Sequence, residues 1–234
     1  MTPFQKLFWL LQMGISTFSD EKPQNHLKKH VQKSLGSLDD LDEEVRKEKN
    51  VLSKTAMNTM LGTGVKNARV MCILESPSAQ EDKTGIYLSG EEGELTQKIL
   101  ASIDLDLNKN TYLTYLSPWR PPGNRLLTAS EIALCKKLLD KRIQLIQPDF
   151  ILILGVPVIR ALLDGHTLSQ VRLGREKYLK IPTFGTFAPA WLMKNPTYRR
   201  QVWEDLKKFK TMISPFFCFL AHSGSHIVCP AFRA

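Results

Sequence analysis

The sequence predicts an α/β fold, a three-layer α/β/α sandwich around a central four-stranded, mainly parallel sheet. Four apolar segments lack the alternation of a half-exposed strand, which is typical of strands covered on both faces. Segments with helical spacing lie between them, and this order favours a doubly wound sheet. The four strand segments are residues 70–74, 111–116, 150–154 and 181–187. In such sheets ligands bind beyond the carboxyl ends of the strands, so the loops there are the first candidates for a site.

The segments between the predicted strands carry helix signals. Apolar residues recur at helical spacing within residues 95–103. Residues 128–131 have the Ser/Thr-x-x-Glu form of a capping box, which predicts a helix start, and Pro148 ends that helix. Asn195 and Pro196 predict an N-cap followed by a proline at the first helical position. The apolar stripe of the last helix is formed by Val202, Leu206, Phe209 and Ile213.

Composition divides the chain into four parts. Residues 1–14 have apolar side chains at helical spacing, which predicts a helix that docks on the main domain. Residues 15–67 are polar and charged, which favours a linker or a solvated helix. Residues 68–213 contain the predicted strands and form the main domain. Residues 214–234 have no clear pattern and are predicted to be an irregular tail.

Charge and hydropathy narrow the classes of function. The chain of 234 residues has 43% apolar residues, a formal net charge of +9 and a sequence pI of about 9.4, so it is attracted to polyanions, most commonly nucleic acid. No apolar run approaches the roughly 18 residues of a membrane span. Residues 1–13 are interrupted by Lys6 and lack a cleavage site, which argues against a signal peptide. We therefore expect a cytoplasmic protein without a membrane partner.

A proline-rich loop follows the second predicted strand at residues 118–125. Prolines and a glycine make it rigid, because they continue neither a strand nor a helix. The loop carries Arg120, Arg125, the indole of Trp119, which we expect to be exposed, and the amide of Asn124. These are groups that grip a phosphate backbone. A proline-stiffened surface turn without a ligand is the alternative.

The motif loops of this chain resemble those of the uracil-DNA glycosylase superfamily, specifically the bacterial family-4-type enzymes. Residues 74–78 and 81–82 resemble the family's Gly-Glu-Ala-Pro-Gly loop and the Glu-Asp pair after it. Residues 85–95 resemble the run Gly-x-Pro-Phe-x-Gly-x-Ala-Gly-x-Leu. The family's Arg-Pro-Pro-Gly-Asn-Arg is present whole at residues 120–125, and residues 188–193 correspond to His-Pro-Ala-Tyr-Leu-Leu.

The resemblance implies base excision from DNA, single- or double-stranded, that contains uracil or another damaged base. In that reaction the base is flipped out and its N-glycosidic bond is hydrolysed. Catalytic positions carried over from the family are Glu75, which is retained and could polarise or place a water, and Ala188, with Glu81 and Asp82 as further candidates. Ala188 stands where the family has a histidine that donates to the base oxygen, and it donates only through its backbone N–H. Without the family match, an acidic residue after a strand is more often a solvated loop residue, and this is the alternative for each of them.

The base-binding positions also depart from the family pattern. Tyr115 matches the asparagine that binds the uracil edge, and a single hydroxyl cannot make the paired contact of an amide. Leu88 matches the aromatic residue that stacks on the base. Leu74 and Ser78 match two glycines that let the backbone approach the base. The positions that the resemblance assigns to DNA binding are Arg120, Asn124, Arg125 and Pro189.

Cysteine placement argues against the iron-sulfur cluster of the family-4 enzymes. Those enzymes hold the cluster on four cysteines, two of them before the first strand, and this chain has none before Cys72. Trp119 stands where a third ligand would be, as in a cluster-free subgroup that the chain resembles there. Cys135 is then an ordinary helix residue, and Cys72 a core residue. The sequence predicts no metal site and no cofactor.

Three functions remain open at this stage. The first is a DNA glycosylase whose activity is impaired or whose base specificity is altered. The second is a non-catalytic DNA-binding homologue of these enzymes, and the third is a phosphate- or nucleotide-binding α/β protein. Ala188 and Tyr115 separate the first two, and the intact loop at residues 120–125 disfavours the third. We expect a monomer in each case.

Overall fold

The computed structural model describes residues 36–218, with side chains described as far as Ser214. The predicted N-terminal helix at residues 1–14, the first part of the predicted linker at residues 15–35, and residues 219–234 lie outside the described residues. Among the residues described, no helix combines the length and the apolar composition that crossing a bilayer requires.

Six strands form one sheet, and the four predicted strands are its centre. The strands are β1 (Thr63–Gly64), β2 (Val70–Leu74), β3 (Thr111–Tyr115), β4 (Phe150–Leu154), β5 (Lys177–Tyr178) and β6 (Ile181–Thr186). Their order is β1-β3-β2-β4-β6-β5; β3, β2, β4 and β6 are parallel, and the edge strands β1 and β5 are antiparallel to their neighbours. The two edge strands have two residues each, too few to carry a sequence pattern.

Helices surround the sheet. They are α1 (Leu38–Lys47), α2 (Val51–Thr55), α3 (Ala79–Thr84), α4 (Gly90–Ala101), α5 (Ala129–Ile146), α6 (Val156–Leu162), α7 (Leu168–Val171), α8 (Pro189–Lys194) and α9 (Arg199–Cys218), with 3₁₀ turns at Pro122–Asn124 and Pro196–Tyr198. The predicted capping box of α5 is confirmed, because the Thr128 side chain accepts from the Glu131 N–H while the Thr128 N–H donates to the Glu131 carboxylate.

The side chains of β2 point alternately into two apolar layers. Val70, Cys72 and Leu74 pack into a cluster that contains residues of α4 and α9. Met71 and Ile73 pack into a second cluster with residues of α5 and α6. Helices therefore cover both faces of the sheet, and the predicted sandwich is confirmed.

The described part of the predicted linker is folded, which corrects the expectation for residues 36–67. Leu41 and Val45 of α1 and Leu52 of α2 are buried in a third apolar cluster that also contains Trp119. The acidic run that suggested a solvated segment forms α1, whose buried residues are four positions apart and so lie on one face. A run of charges on the outer face obscured that pattern.

The C-terminal helix also differs from its prediction. The Asn195 side chain makes no cap; its amide donates to the Trp191 carbonyl instead. A 3₁₀ turn follows, and α9 begins at Arg199 and runs to Cys218, five residues past the predicted end of the domain at residue 213. The first residues of the predicted irregular tail are therefore helical.

Candidate active site

Hydrogen bonds between loops join the carboxyl ends of the parallel strands. The Leu116 N–H donates to the Leu74 carbonyl (2.7 Å) and the Ser117 N–H to the Glu75 carbonyl (3.0 Å), which holds the loops after β2 and β3 side by side. The Gly155 N–H donates to the Thr186 carbonyl (3.0 Å), which holds the loop after β4 beside the end of β6. The loops that the sequence analysis singled out therefore meet along one edge of the sheet.

The buried carboxylate of Glu81 accepts hydrogen bonds from three residues at this edge, and we call this role the hub of the site. Glu81 is 4% exposed, and its Oε2 accepts from the Ser78 N–H (2.8 Å) in the capping box of α3. Its Oε1 accepts from the Leu88 N–H (2.8 Å) and from the Tyr115 hydroxyl (2.5 Å). Three donors on one carboxylate fix three of the predicted base-binding residues in place, among them Ser78, whose hydroxyl is occupied as the cap of α3.

The hydroxyl of Tyr115 is committed to Glu81 and is not free to bind a base. Tyr115 is 3% exposed, and burial, together with the negative charge of Glu81, raises the pKa of its phenol. Its ring stacks on Tyr87 with centroids 6.4 Å apart and planes 18° apart. The position of the family's amide is therefore filled by a buried aromatic ring.

Leu88 is held in a conformation that is unusual for a branched residue. Its φ is 55°, in the left-handed region, and its side chain is 5% exposed within the cluster that contains Tyr115. The first turn of α4 presses on its backbone, because a Cβ added at Gly93 would lie 2.0 Å from the Leu88 carbonyl carbon. The wall on which a base was predicted to stack is thus tightly packed apolar core.

Glu75, directly after β2, is a carboxylate at this edge of the sheet. It is half-buried, and burial raises its pKa. Within the described part of the chain, no hydrogen bond or ion pair holds its side chain, whereas its carbonyl is fixed by Ser117. It is therefore available to bind a water or a ligand.

Asp82, the other predicted catalytic carboxylate, serves a structural network. It is 3% exposed, and its Oδ1 accepts from the backbone N–H groups of Met57 (2.9 Å) and Asn58 (3.0 Å). Its Oδ2 lies 3.8 Å from Nη1 of Arg120. Asp82 thus ties the segment before β1 and the proline-rich loop to α3.

Glu92, in the first turn of α4, is a site carboxylate that the sequence analysis missed. It is half-buried, and burial together with the charges of Glu81 and Glu75 raises its pKa to about 7, while Lys194 acts in the opposite direction. Glu92 occupies the place of the alanine in the Gly-x-Ala-Gly part of the family pattern. A glutamate at the position of a small apolar residue was the signal that could have identified it.

The arginines of the proline-rich loop brace it internally. Nε of Arg120 donates to Oδ1 of Asn124 (2.6 Å). Arg125 makes a two-point ion pair with Glu131 (2.8 and 2.7 Å), which lowers the pKa of that carboxyl to about 2. The loop is therefore preorganised, with the Arg125 side chain 41% exposed.

Trp119 is buried, which corrects the expectation of an exposed indole. It is 1% exposed and packs with residues of α1 and α2, and its Nε1 donates to Thr59 Oγ1 (3.2 Å). The expectation was wrong because the helices that cover Trp119 come from the segment taken as a linker. Cys135 lies in the same cluster, where burial raises the pKa of its thiol to about 11.

The described residues do not fit an iron-sulfur cluster. Cys72 lies in a different apolar cluster from Cys135, and Trp119 packs in the same cluster as Cys135. Among the side chains described, no three histidine, cysteine or acidic residues are grouped as metal ligands. Whether the whole chain binds iron stays a prediction to be tested.

Ala188 is half-buried and precedes α8, where its carbonyl accepts from the Trp191 and Leu192 N–H groups (both 3.1 Å). Its methyl group offers no polar contact. Pro189, the first residue of α8, is buried. Its contact with DNA remains a prediction. Phe187 stacks on Trp191 with centroids 4.2 Å apart, which stiffens this loop.

Comparison with known proteins identifies the fold and the motif loops with one superfamily. The family model of the uracil DNA glycosylase superfamily matches residues 61–207. The chain is 32% identical to the type-4 uracil-DNA glycosylase of Thermotoga maritima over 166 residues, which are 67% of this chain and 83% of that protein. It is 31% identical to the type-4 enzyme of Saccharolobus solfataricus over 190 residues, 77% of this chain and 88% of that protein.

Proposed function

Because the chain belongs to the uracil-DNA glycosylase superfamily, we propose that it removes uracil or another damaged base from DNA, slowly or with altered base specificity. The observation that supports this most is the free carboxylate of Glu75 at an edge where Ala188 offers no side-chain donor. Glu75 is a candidate for activating the water, whereas the family's histidine, which donates to the base, has no counterpart at Ala188.

The reaction makes two demands on the site. Cleavage of the bond between C1′ and the base puts positive charge on the sugar and negative charge on the base, so the sugar needs a positioned water and the base needs a donor. Glu75 orients that water and accepts its proton. Asp82 acts indirectly. Its carboxylate accepts from the backbone N–H groups of Met57 and Asn58 and pairs with Arg120, which holds α3 and the proline-rich loop in place.

Base specificity follows from the wall formed by Tyr115 and Leu88. The Tyr115 hydroxyl donates to Glu81, so it cannot offer uracil the paired donor and acceptor of an amide. Leu88 replaces the family's aromatic residue, and because its side chain is buried in the apolar core it offers a base little surface for stacking. We therefore propose that this wall accepts the uracil edge poorly, and that a different base is preferred or the turnover is low.

DNA is bound through its phosphates by the proline-rich loop. Arg120, Asn124 and Arg125 are fixed by their internal contacts, which lowers the entropy that binding costs. The formal net charge of +9 adds a long-range attraction to the polyanion. Such contacts position DNA without recognising its sequence.

The test is abasic-site formation under single-turnover conditions. Single- and double-stranded oligonucleotides with uracil, hypoxanthine or xanthine are incubated with excess protein, cleaved with alkali and resolved on a gel. We expect slow excision of at least one of these bases. Complete absence of abasic sites together with DNA binding would contradict excision and favour a non-catalytic DNA-binding homologue.

A further inference from the structure

We propose that Glu92 is the general acid of this site, the group that protonates the departing base in place of the side-chain donor that Ala188 lacks. The inference rests on the proposed function and adds a catalytic residue to it. Nothing in the family pattern points to Glu92, because that pattern has alanine at the corresponding position.

The first turn of α4, which carries Glu92, packs against the base-binding wall. Gly93, the next residue, is so close to Leu88 that a Cβ there would overlap the Leu88 carbonyl group. The Leu88 N–H in turn donates to Glu81, which also holds Tyr115. A chain of short contacts therefore connects the first turn of α4 to the residues that line the predicted base position.

The same helix packs against α8, the helix that follows Ala188. The charged and titratable groups that interact electrostatically with Glu92 come from four elements: Glu75 follows β2, Glu81 lies on α3, Tyr115 ends β3 and Lys194 ends α8. Glu92 therefore lies within electrostatic range of the groups of the candidate site. Its side chain remains half-exposed, so a ligand can reach it.

The electrostatic setting suits a proton donor. Burial and the neighbouring carboxylates raise the pKa of Glu92 to about 7, so a substantial fraction carries a proton at neutral pH. A general acid works best when its pKa is close to the working pH. Glu81 cannot take this role, because three donors already occupy its two oxygens and hold it as an acceptor.

The step balances as follows. The bond between C1′ and the base nitrogen breaks, its electron pair goes to the base, and the Glu92 carboxyl proton transfers to the base. A water oxygen bonds to C1′ and loses a proton to Glu75. The products are a neutral base and an abasic site, and exchange with solvent returns the proton from Glu75 to Glu92.

The experiment compares Glu92→Gln with Glu91→Gln, a matched control, because Glu91 lies exposed in the same helical turn. Single-turnover excision is measured from pH 5 to pH 9 on the best substrate of the panel above. The wild-type rate should fall about tenfold per pH unit well above pH 7, because only protonated Glu92 acts. Glu92→Gln should lower the rate about 10²-fold and remove the alkaline limb. Glu91→Gln should keep the wild-type rate and the alkaline limb of the pH profile.

A second variant and a second substrate guard against a merely structural effect. Glu92→Asp retains a titrating carboxyl, so it should keep the alkaline limb at a lower rate. 5-Fluorouracil leaves as a more stable anion than uracil, so its excision should suffer less from Glu92→Gln. Thermal melting and DNA binding of each variant are measured in parallel.

The outcomes separate the two claims. If the wild type excises a base and Glu92→Gln has the same rate and the same pH profile, the role of Glu92 is wrong and the proposed function stands. If the wild type forms no abasic site on any substrate between pH 5 and pH 9, the proposed function fails and the role of Glu92 fails with it.

Discussion

Among single residues, Glu81, a further catalytic candidate from the sequence, instead holds the candidate site together through its hydrogen bonds. Its carboxylate accepts from the Ser78 and Leu88 N–H groups and from the Tyr115 hydroxyl. The sequence indicated that Ser78 and Tyr115 matter, because both replace family residues. It could not indicate that one carboxylate joins them, since that depends on the φ of 55° at Leu88 and on the approach of Gly93.

Glu81→Gln should destabilise the protein by about 1–3 kcal/mol, because a buried amide would turn donor hydrogens toward groups that are themselves donors. The free energy of unfolding is measured by urea denaturation. Tyr115→Phe, which leaves two donors on the carboxylate, should cost less, and the exposed Glu91→Gln should cost nothing measurable. Equal stability of Glu81→Gln and the wild type would contradict the hub role.

Among the strands and helices, those with long apolar segments in the sequence could be predicted, and those with short segments could not. The four central strands were predicted correctly because β2, β3 and β4 are buried along all five residues and β6 along its last four, which gives each a continuous segment without alternation. The edge strands β1 and β5 are too short to carry such a signal. The burial of Trp119 escaped prediction because α1 and α2 cover it, and their charged outer faces concealed their apolar ones.

Leu41→Ala in α1 should destabilise the protein by about 2–5 kcal/mol, since a buried leucine leaves a cavity in the cluster around Trp119. The exposed Glu43→Gln in the same helix is the matched control and should leave the unfolding free energy nearly unchanged. The midpoint of urea denaturation distinguishes them. If Leu41→Ala were as stable as the control, this segment would behave as the linker that its composition suggested.

At the scale of the whole molecule, the net charge of +9 and the rigid arginine loop should make DNA binding weak, largely independent of sequence and sensitive to salt. Arg125→Ala should reduce the slope of log affinity against log salt by about one, because one phosphate contact is lost. Fluorescence anisotropy with a labelled oligonucleotide measures the slope. Lys98→Ala, at an exposed position on α4, is the control and should leave it unchanged.

Salt-independent binding, or no binding at low salt, would contradict a phosphate-gripping loop. It would favour an α/β protein that binds a small phosphate compound instead of DNA. The Arg125–Glu131 ion pair holds the arginine in one position before any ligand binds, so a change in the salt slope of Arg125→Ala reports the loss of a contact at that position.

We propose that this edge of the sheet is a glycosylase site that lacks two of the family's groups. It is tested most directly by restoring both groups. The double variant Ala188→His, Tyr115→Asn should excise uracil about 10²–10³-fold faster than the wild type, because removal of one such donor typically costs that factor. Ala190→His with Tyr115→Asn is the matched control and should give no gain. Rapid uracil excision by the unmodified chain, or no gain in a double variant that still folds and binds DNA, would contradict the claim.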